Sequence, residues 1–205
     1  MFFNFKFFGD VYFGKGSLKR INEILYEKKW NDIVLVIDHA LLKIDSFLNY
    51  IDGIKHNNLM LVECDISEPT YDSLDQKRII IDKNSVDCFI GIGGGSAIDM
   101  AKGLSVLYSN DKKAISYRGF DKFKLPIKPI IAIPTTAGTG SEITPNASFI
   151  DTQEKIKMGI NGEAIRPSFS ILDPELTLSC PLGPTISAGI DSIVHATEAF
   201  VAKKS

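Results

Sequence analysis

The 205-residue chain lacks the features that would tie it to a membrane, a disulfide framework or a nucleic acid. No stretch reaches the roughly 18 apolar residues that a membrane-spanning helix needs. The three cysteines, Cys64, Cys88 and Cys180, are odd in number and far apart, which is typical of a reducing compartment. A net charge of −2 gives no electrostatic reason to expect nucleic acid or an anionic membrane as a partner. We therefore expect a cytoplasmic globular protein with neither partner.

What the chain does contain is an alternation of apolar runs with segments of helical spacing. The apolar runs predict strands at 33–37, 59–63, 86–90 and 130–133, and the segments between them predict helices at 17–29, 71–84 and 96–108. Strands separated by helices favour an α/β fold, a Rossmann-like parallel sheet with flanking helices. The aromatic segment at 1–8 is predicted as an edge strand.

The composition changes after residue 134, where Thr, Gly and Ser become frequent. Short extended segments are predicted at 143–150 and 155–160, a last strand at 169–172, and a helix from 185 to the end. The change to helical spacing after this strand indicates a domain boundary at 181–184.

The most informative motif is the run at 91–102, Gly-Ile-Gly-Gly-Gly-Ser-Ala-Ile-Asp-Met-Ala-Lys. It joins a predicted buried strand to a predicted helix. That order can make an anion site, because glycines let the backbone approach a phosphate and the amides at a helix start carry partial positive charge. Ser96 is expected to cap the helix and to donate to a phosphate oxygen. A flexible turn without a ligand is the alternative.

Asp38 follows the first strong strand, at its carboxyl end. A carboxylate there can accept both ribose hydroxyls of an adenosine and would repel a 2′-phosphate. The order differs from the ordinary Rossmann fingerprint, in which the glycine loop comes first and the acid about 20 residues later. A helix cap for the turn that begins at Ala40 is the alternative role of Asp38.

The loop at 133–142 is rich in small hydroxyl and glycine residues and follows a predicted strand. Such a loop offers N–H and O–H donors without steric bulk, which suits the wall of a ligand site. A loop that packs tightly for structural reasons would have the same composition.

Asp191 and His195 are four residues apart in the last predicted helix, so both lie on one face and could bind one metal ion. A surface Asp–His pair is the alternative. A catalytic first-row metal normally needs about three protein ligands. The other two histidines, His39 and His56, lie in the first third of the chain, so the sequence does not complete the ligand set.

Taken together, these blocks resemble the iron-containing (group III) alcohol dehydrogenases. The matching segments occur in family order and cover nearly the whole chain: 13–16, 93–96 with Asp99 and Lys102, 134–142, 173–176 and 191–198. The resemblance implies a dinucleotide-binding domain at 1–180 and the truncated start of an all-α metal and substrate domain at 181–205. It also implies metal-dependent hydride transfer between NAD(H) and a small alcohol or aldehyde, and it allows a homo-oligomer.

The resemblance further implies the residues of the site. Along the cofactor it places Asp38, Gly93, Gly94, Gly95, Ser96, Asp99, Thr135, Thr136, Thr139, Asn146 and Lys157. It makes Asp191 and His195 the first two of four ligands of a divalent metal, iron in preference to zinc, and it favours NAD over NADP. No side chain is identified as a general base. Glu68 stands where many relatives carry a small polar residue near the adenine.

The alternatives are a polyol (glycerol-type) dehydrogenase or a cyclising lyase of the same fold, a non-catalytic dinucleotide-binding module, and an interaction protein. The missing metal ligands favour the binding module. The composition of the 135–142 run favours the alcohol dehydrogenase branch over the fold relatives. The aromatic N-terminus and the apolar last helix would serve an interaction protein. The chain is expected to be either a fragment of a longer enzyme or a naturally short protein.

Overall fold

The computed structural model describes residues 9–65, 68–81 and 85–202. Its strands are β1 (Asp10–Phe13), β2 (Asp32–Asp38), β3 (Asn58–Cys64), β4 (Cys88–Gly93), β5 (Gly119–Phe120), β6 (Ile130–Pro134), β7 (Asn146–Asp151), β8 (Ile156–Asn161) and β9 (Phe169–Leu172). Its α-helices are α1 (Arg20–Lys28), α2 (Asp45–Asp52), α3 (Tyr71–Arg78), α4 (Gly95–Ser109) and α5 (Leu182–Val201).

The main sheet has six strands in the order β1-β9-β6-β4-β2-β3, and every neighbouring pair is parallel. The predicted Rossmann-like parallel sheet is therefore confirmed. A smaller sheet, in the order β5-β8-β7, lies beside it. The chain passes from β2 to β3 on one side and then returns to β4 on the other side of β2. This reversal opens a crevice at the carboxyl ends of β2 and β4, the place where parallel α/β sheets bind ligands.

Apolar cores cover both faces of the main sheet, which explains why its central strands are continuous apolar runs. Val34 and Val36 of β2 face a core built with α3, α4 and the small sheet. Ile33, Leu35 and Ile37 face the opposite core, built with α1 and α2. The period-2 alternation of a strand thus distributes one apolar run between two layers.

The strands predicted at 33–37, 59–63, 130–133 and 169–172 are confirmed. The strand predicted at 86–90 begins two residues later, at Cys88. Asp87 lies before the strand, and its Oδ2 accepts from the amides of Asn31 (2.7 Å) and Asp32 (3.0 Å) at the start of β2. The sequence analysis did not predict β1, and the edge strand predicted at 1–8 lies outside the described residues.

The helix prediction at 96–108 is confirmed, whereas two other helices are shorter than predicted. The segment 17–29 divides into a 3₁₀ turn at Ser17–Lys19 and α1, which ends where Lys29 takes φ 58°. Helix α3 starts at a capping box between Thr70 and Ser73 and ends at Arg78 rather than at 84. Residues 82–84 lie outside the described part.

Two extended segments and the last helix are confirmed with shifted bounds. β7 starts at Asn146 rather than at 143, β8 occupies Ile156–Asn161, and α5 begins at Leu182 rather than at 185. Ala188 is the only buried residue of α5, while Ile186, Ile190 and neighbouring apolar side chains are exposed. None of the described helices is long and apolar enough to cross a bilayer.

Candidate functional site

A cleft of about 540 Å³ lies outside the carboxyl ends of β2 and β4, at the reversal of the strand order. Nineteen of the described residues line it: Asp38, Glu68, Pro69, Gly94, Gly95, Ser96, Asp99, Thr136, Thr139, Ser141, Thr144, Asn146, Ser148, Lys157, Pro184, Ser187, Ala188, Asp191 and His195. All but two of the predicted site residues are among them. Gly93 and Thr135 lie beneath the lining, where the Thr135 amide donates to the Gly93 carbonyl (2.9 Å).

The glycine turn brings two strands and a helix into close contact at the head of the cleft. Gly93 has φ 148°, and a Cβ there would lie 2.8 Å from the Cβ atoms of both Asp38 and Ala97. A Cβ on Gly95 would lie 3.0 Å from the Thr139 side chain. Gly93 therefore requires glycine, and at Gly95 a Cβ would force the Thr139 side chain to shift, so the turn is closely packed and is not merely flexible.

The start of α4 opens into this cleft without a side-chain cap. Gly94 is the N-cap residue, and it has no side chain that could bond to the amides of the first turn. The prediction that Ser96 caps the helix is wrong, because Ser96 already lies inside the first turn. Uncapped amides at a helix start, beside two glycines, form an environment suited to an anion.

The structure gives Asp38 the capping role and also places it on the wall of the cleft. Its Oδ1 accepts from the amide of Ala40 (3.0 Å), which caps the 3₁₀ turn at His39–Lys43. The same residue lines the cleft directly beside the glycine turn. The hydrogen bond fixes the position of the carboxylate at the end of β2 and leaves further acceptor capacity for a ligand.

Asp99 faces the cleft from α4, but protein donors bond to both of its oxygens. Oδ1 accepts from the hydroxyl of Ser141, and Oδ2 accepts from the amide of Ser148 (2.8 Å). Burial raises the pKa of the Asp99 carboxyl, while the ammonium groups of Lys102 and Lys157 oppose this rise. The carboxylate therefore joins α4 to the 139–148 segment and to β7.

Lys102 supports the same segment from behind the lining. It is fully buried, and its Nζ donates to the Asn146 carbonyl (2.7 Å), the Thr144 carbonyl (2.9 Å) and Ser141 Oγ (3.2 Å). Asp99 Oδ1 lies 3.8 Å from the same ammonium. Burial lowers the pKa of Lys102 to about 8. Three acceptors satisfy the three donors of the ammonium, so the cation holds the 139–148 wall in place.

The 135–142 loop serves both as a cleft wall and as a seat for α5. Thr136 and Thr139 line the cleft. A Cβ on Gly138 would lie 1.9 Å from the carbonyl oxygen of Ala188, so only a glycine lets the helix backbone come this close. The contact brings one face of α5 to the far end of the cleft.

Asp191 and His195 lie on that face. His195 Nε2 and Asp191 Oδ1 are 3.7 Å apart, and both side chains are about half exposed. This separation fits a shared ion, because two atoms each about 2.0–2.2 Å from one metal lie at most about 4.4 Å apart. Within 9–65, 68–81 and 85–202, no group of three or more His, Cys, Asp or Glu residues could hold a metal. The pair therefore fits half of a ligand set.

Several residues of the cleft were missed in the sequence analysis although signals for them existed. Ser148 follows Asn146 by two positions on β7, and a strand places such residues on one face. Pro184, Ser187 and Ala188 precede Asp191 at helical spacing, so they share its face of α5. Ser141 lies within the 133–142 loop and Thr144 follows it, and neither is marked by a periodic signal.

Comparisons with known proteins match this architecture. The sequence profile described as "Iron-containing alcohol dehydrogenase" matches residues 9–174. The NAD-dependent methanol dehydrogenase of Bacillus methanolicus is 41% identical over 124 residues, which are 60% of this chain and 32% of that protein. Alcohol dehydrogenase 4 of Schizosaccharomyces pombe is 33% identical over 202 residues, 92% of this chain and 45% of that protein.

A solved structure extends the match to nearly the whole chain. The sulfoacetaldehyde reductase from Bifidobacterium kashiwanohense, in complex with NAD⁺, superposes with a TM-score of 0.88 at 31% identity. The superposition covers 99% of this chain and 54% of that one. The chain thus spans about half, or less than half, of the length of the relatives it matches.

Proposed function

The chain belongs to the iron-containing alcohol dehydrogenase family, and from this premise we propose that it binds NAD(H) in the cleft. We further propose that it supplies part of the metal site for hydride transfer to or from a small alcohol or aldehyde. One observation carries the proposal. A single cleft runs from the glycine turn and Asp38 to the Asp191/His195 face of α5. The residues proposed for the nucleotide and the residues proposed for the metal therefore face the same space.

The head of the cleft would hold the adenosine and pyrophosphate half of the cofactor. The uncapped amides of α4 and the close glycine backbone suit the pyrophosphate. Asp38 would accept the ribose hydroxyls, and its charge would repel a 2′-phosphate, which favours NAD over NADP. Thr136, Thr139 and Asn146 supply polar groups further along.

The far end would hold the metal through Asp191 Oδ1 and His195 Nε2. When bound, a divalent metal supplies Lewis-acid polarisation of an alcohol or carbonyl oxygen, and the family favours iron. The Gly138–Ala188 contact positions this pair relative to the cofactor wall. We infer that 1–180 is the cofactor domain and that 181–205 begins the metal and substrate domain.

The first test is a fluorescence titration of the purified chain with NADH and with NADPH. We expect saturable binding that favours NADH, and Asp38→Gly should reduce this preference because the repulsion of the 2′-phosphate is removed. Leu48→Ala, a change on the exposed surface of α2, is the control. No binding of NADH by a chain with intact circular dichroism would overturn the proposal.

A second candidate function is dinucleotide binding without turnover by this chain alone. The observation that favours it is the half-complete ligand set on α5 among the described residues. Measuring NADH formation from short alcohols with added Fe²⁺ or Zn²⁺ separates the two. Metal-dependent turnover that His195→Ala abolishes supports the enzyme, whereas NADH binding without turnover supports the binding module.

A further inference from the structure

Glu68 and Lys157 form an ion pair on the wall of the cleft. Lys157 Nζ lies 2.9 Å from Glu68 Oε1, and each side chain is about half exposed. Both residues line the same 540 Å³ space as the glycine turn. The two residues are 89 positions apart in the sequence, so the fold rather than local chain geometry brings them together.

The backbone fixes this pairing. The amide of Ile150 on β7 donates to the carbonyl of Pro69 (2.9 Å), next to Glu68. Ile150 is also the residue opposite Lys157 in the β7–β8 register. One residue of β7 therefore holds the Glu68 segment on one side and the Lys157 strand on the other. This arrangement reduces the conformational entropy that the ion pair would otherwise lose.

The charges of the lining make this lysine important. Among the described residues of the lining, Lys157 is the sole lysine or arginine, while Asp38, Glu68, Asp99 and Asp191 are acidic. Asp99 has Lys102 behind it, and Asp191 lies beside His195. A diphosphate bound against these described residues would thus meet one ammonium, and that ammonium is already paired with a carboxylate.

We propose that Glu68 sets the cofactor affinity of this site by competing with the cofactor pyrophosphate for the ammonium of Lys157, an inference that rests on the proposed function. A lysine ammonium forms strong charge-assisted hydrogen bonds with phosphate oxygens. If Glu68 stays in place, its charge repels the diphosphate. If it moves away, the 2.9 Å ion pair is lost. Either event weakens binding relative to a neutral residue at this position.

The test compares Glu68→Gln with wild type by calorimetric titration with ADP and with adenosine, and by fluorescence titration with NADH. Glu154→Gln is the matched control, because Glu154 is equally exposed and pairs with Arg118 (2.7 Å) away from the cleft. Since half-exposed ion pairs are weak, we expect Glu68→Gln to tighten ADP and NADH by about two- to fivefold. Adenosine, which has no phosphate, should bind as to wild type.

A second variant tests the competition itself. In a Lys157→Met background, Glu68→Gln should give a smaller gain in ADP affinity than in wild type, because the contested ammonium is gone and only the repulsion by the Glu68 charge is removed. Any of the following results would overturn the inference: weaker ADP binding by Glu68→Gln, an equal gain for adenosine, an equal gain in Glu154→Gln, or an undiminished gain from Glu68→Gln in the Lys157→Met background. Failure of wild type to bind NADH would overturn the proposed function and this inference together, whereas wild-type binding with an unchanged Glu68→Gln affinity overturns the inference alone.

Discussion

The two helices that meet at the cleft are held in opposite ways. In α4, every residue from 97 to 107 is buried, and Asp99 and Lys102 bond to the opposite wall. In α5, Ala188 is the one buried residue, and contact with the 135–142 loop depends on Gly138. The end of the cleft where we propose the nucleotide is therefore held by many buried contacts among the described residues. The end where we propose the metal is attached to them through one buried residue of α5, so ligand binding at the two ends should respond differently to perturbation.

The strongest expected effect comes from removing the cation that holds the α4 end. Lys102→Met leaves the buried Asp99 without its ammonium and leaves the Thr144 and Asn146 carbonyls without a donor. Breaking a buried charge pair in this way costs about 3–5 kcal/mol. We expect a loss of that size in urea unfolding, together with weaker NADH binding.

The control for this change is Lys113→Met, at an exposed lysine. It should change the free energy of unfolding by no more than about 0.5 kcal/mol. Equal stability of the Lys102→Met and Lys113→Met proteins would show that the buried ammonium does not hold the α4 end.

The next effect, an alkaline loss of stability, should arise in the two cores of the main sheet, where Cys64 and Cys88 are buried. Burial raises the pKa of Cys64 to about 12 and raises that of Cys88 as well. A thiol with a raised folded pKa contributes stability below its unfolded pKa of about 8.5 and loses that contribution as the pH rises above it. Each thiol then lowers the free energy of unfolding by about 1.4 kcal/mol per pH unit.

Urea unfolding of Cys88→Ala and wild type at pH 8 and pH 10 measures this slope. Because the unfolded thiol is only partly ionised at pH 8, the variant should lose about 2 kcal/mol less than wild type over this interval. Cys180→Ala, at a thiol that is not buried, should keep the wild-type slope. Lys102 acts in the opposite direction, because its lowered pKa makes its contribution grow above pH 8, but it affects all three proteins equally. Equal slopes in wild type and Cys88→Ala would contradict the prediction.

A smaller and more local loss of stability is expected where the 135–142 loop contacts α5. Gly138→Ala would place a Cβ 1.9 Å from the Ala188 carbonyl oxygen, so α5 must move. Overpacking of this kind costs about 1–3 kcal/mol. We expect faster hydrogen exchange in α5 and weaker metal binding, with NADH affinity nearly unchanged. Gly140→Ala, in the same loop, is the control. It introduces backbone strain, because Gly140 has φ 65°, but no clash, because nothing lies within 4 Å of a Cβ there. If Gly138→Ala abolished NADH binding without changing hydrogen exchange in α5, the two ends of the cleft would not respond independently.

Features that follow a local pattern were predictable from the sequence, whereas features that depend on distant contacts were not. The central strands were predictable because two apolar cores leave continuous apolar runs, as in 33–37. Asp38 and the glycine turn were identified by their position after strands. Ser141 and the backbone carbonyls around Lys102 could not be identified, because their roles depend on contacts some 40 positions apart that follow no period. The Ser96 cap was predicted wrongly because Gly94 precedes it and starts the helix earlier.

The smallest effect comes from making one substitution in each helix. A Cβ on Gly189 of α5 meets nothing within 4 Å, so Gly189→Ala should stabilise the helix by about 1 kcal/mol through propensity alone. A Cβ on Gly103 of α4 would lie 2.7 Å from Phe149 and 2.8 Å from Leu74, so the same change should destabilise the protein there. Thermal unfolding of both variants measures the signs. A destabilised Gly189→Ala protein would mean that the α5 surface at Gly189 is packed in solution, and the contrast between the two helices would then fail.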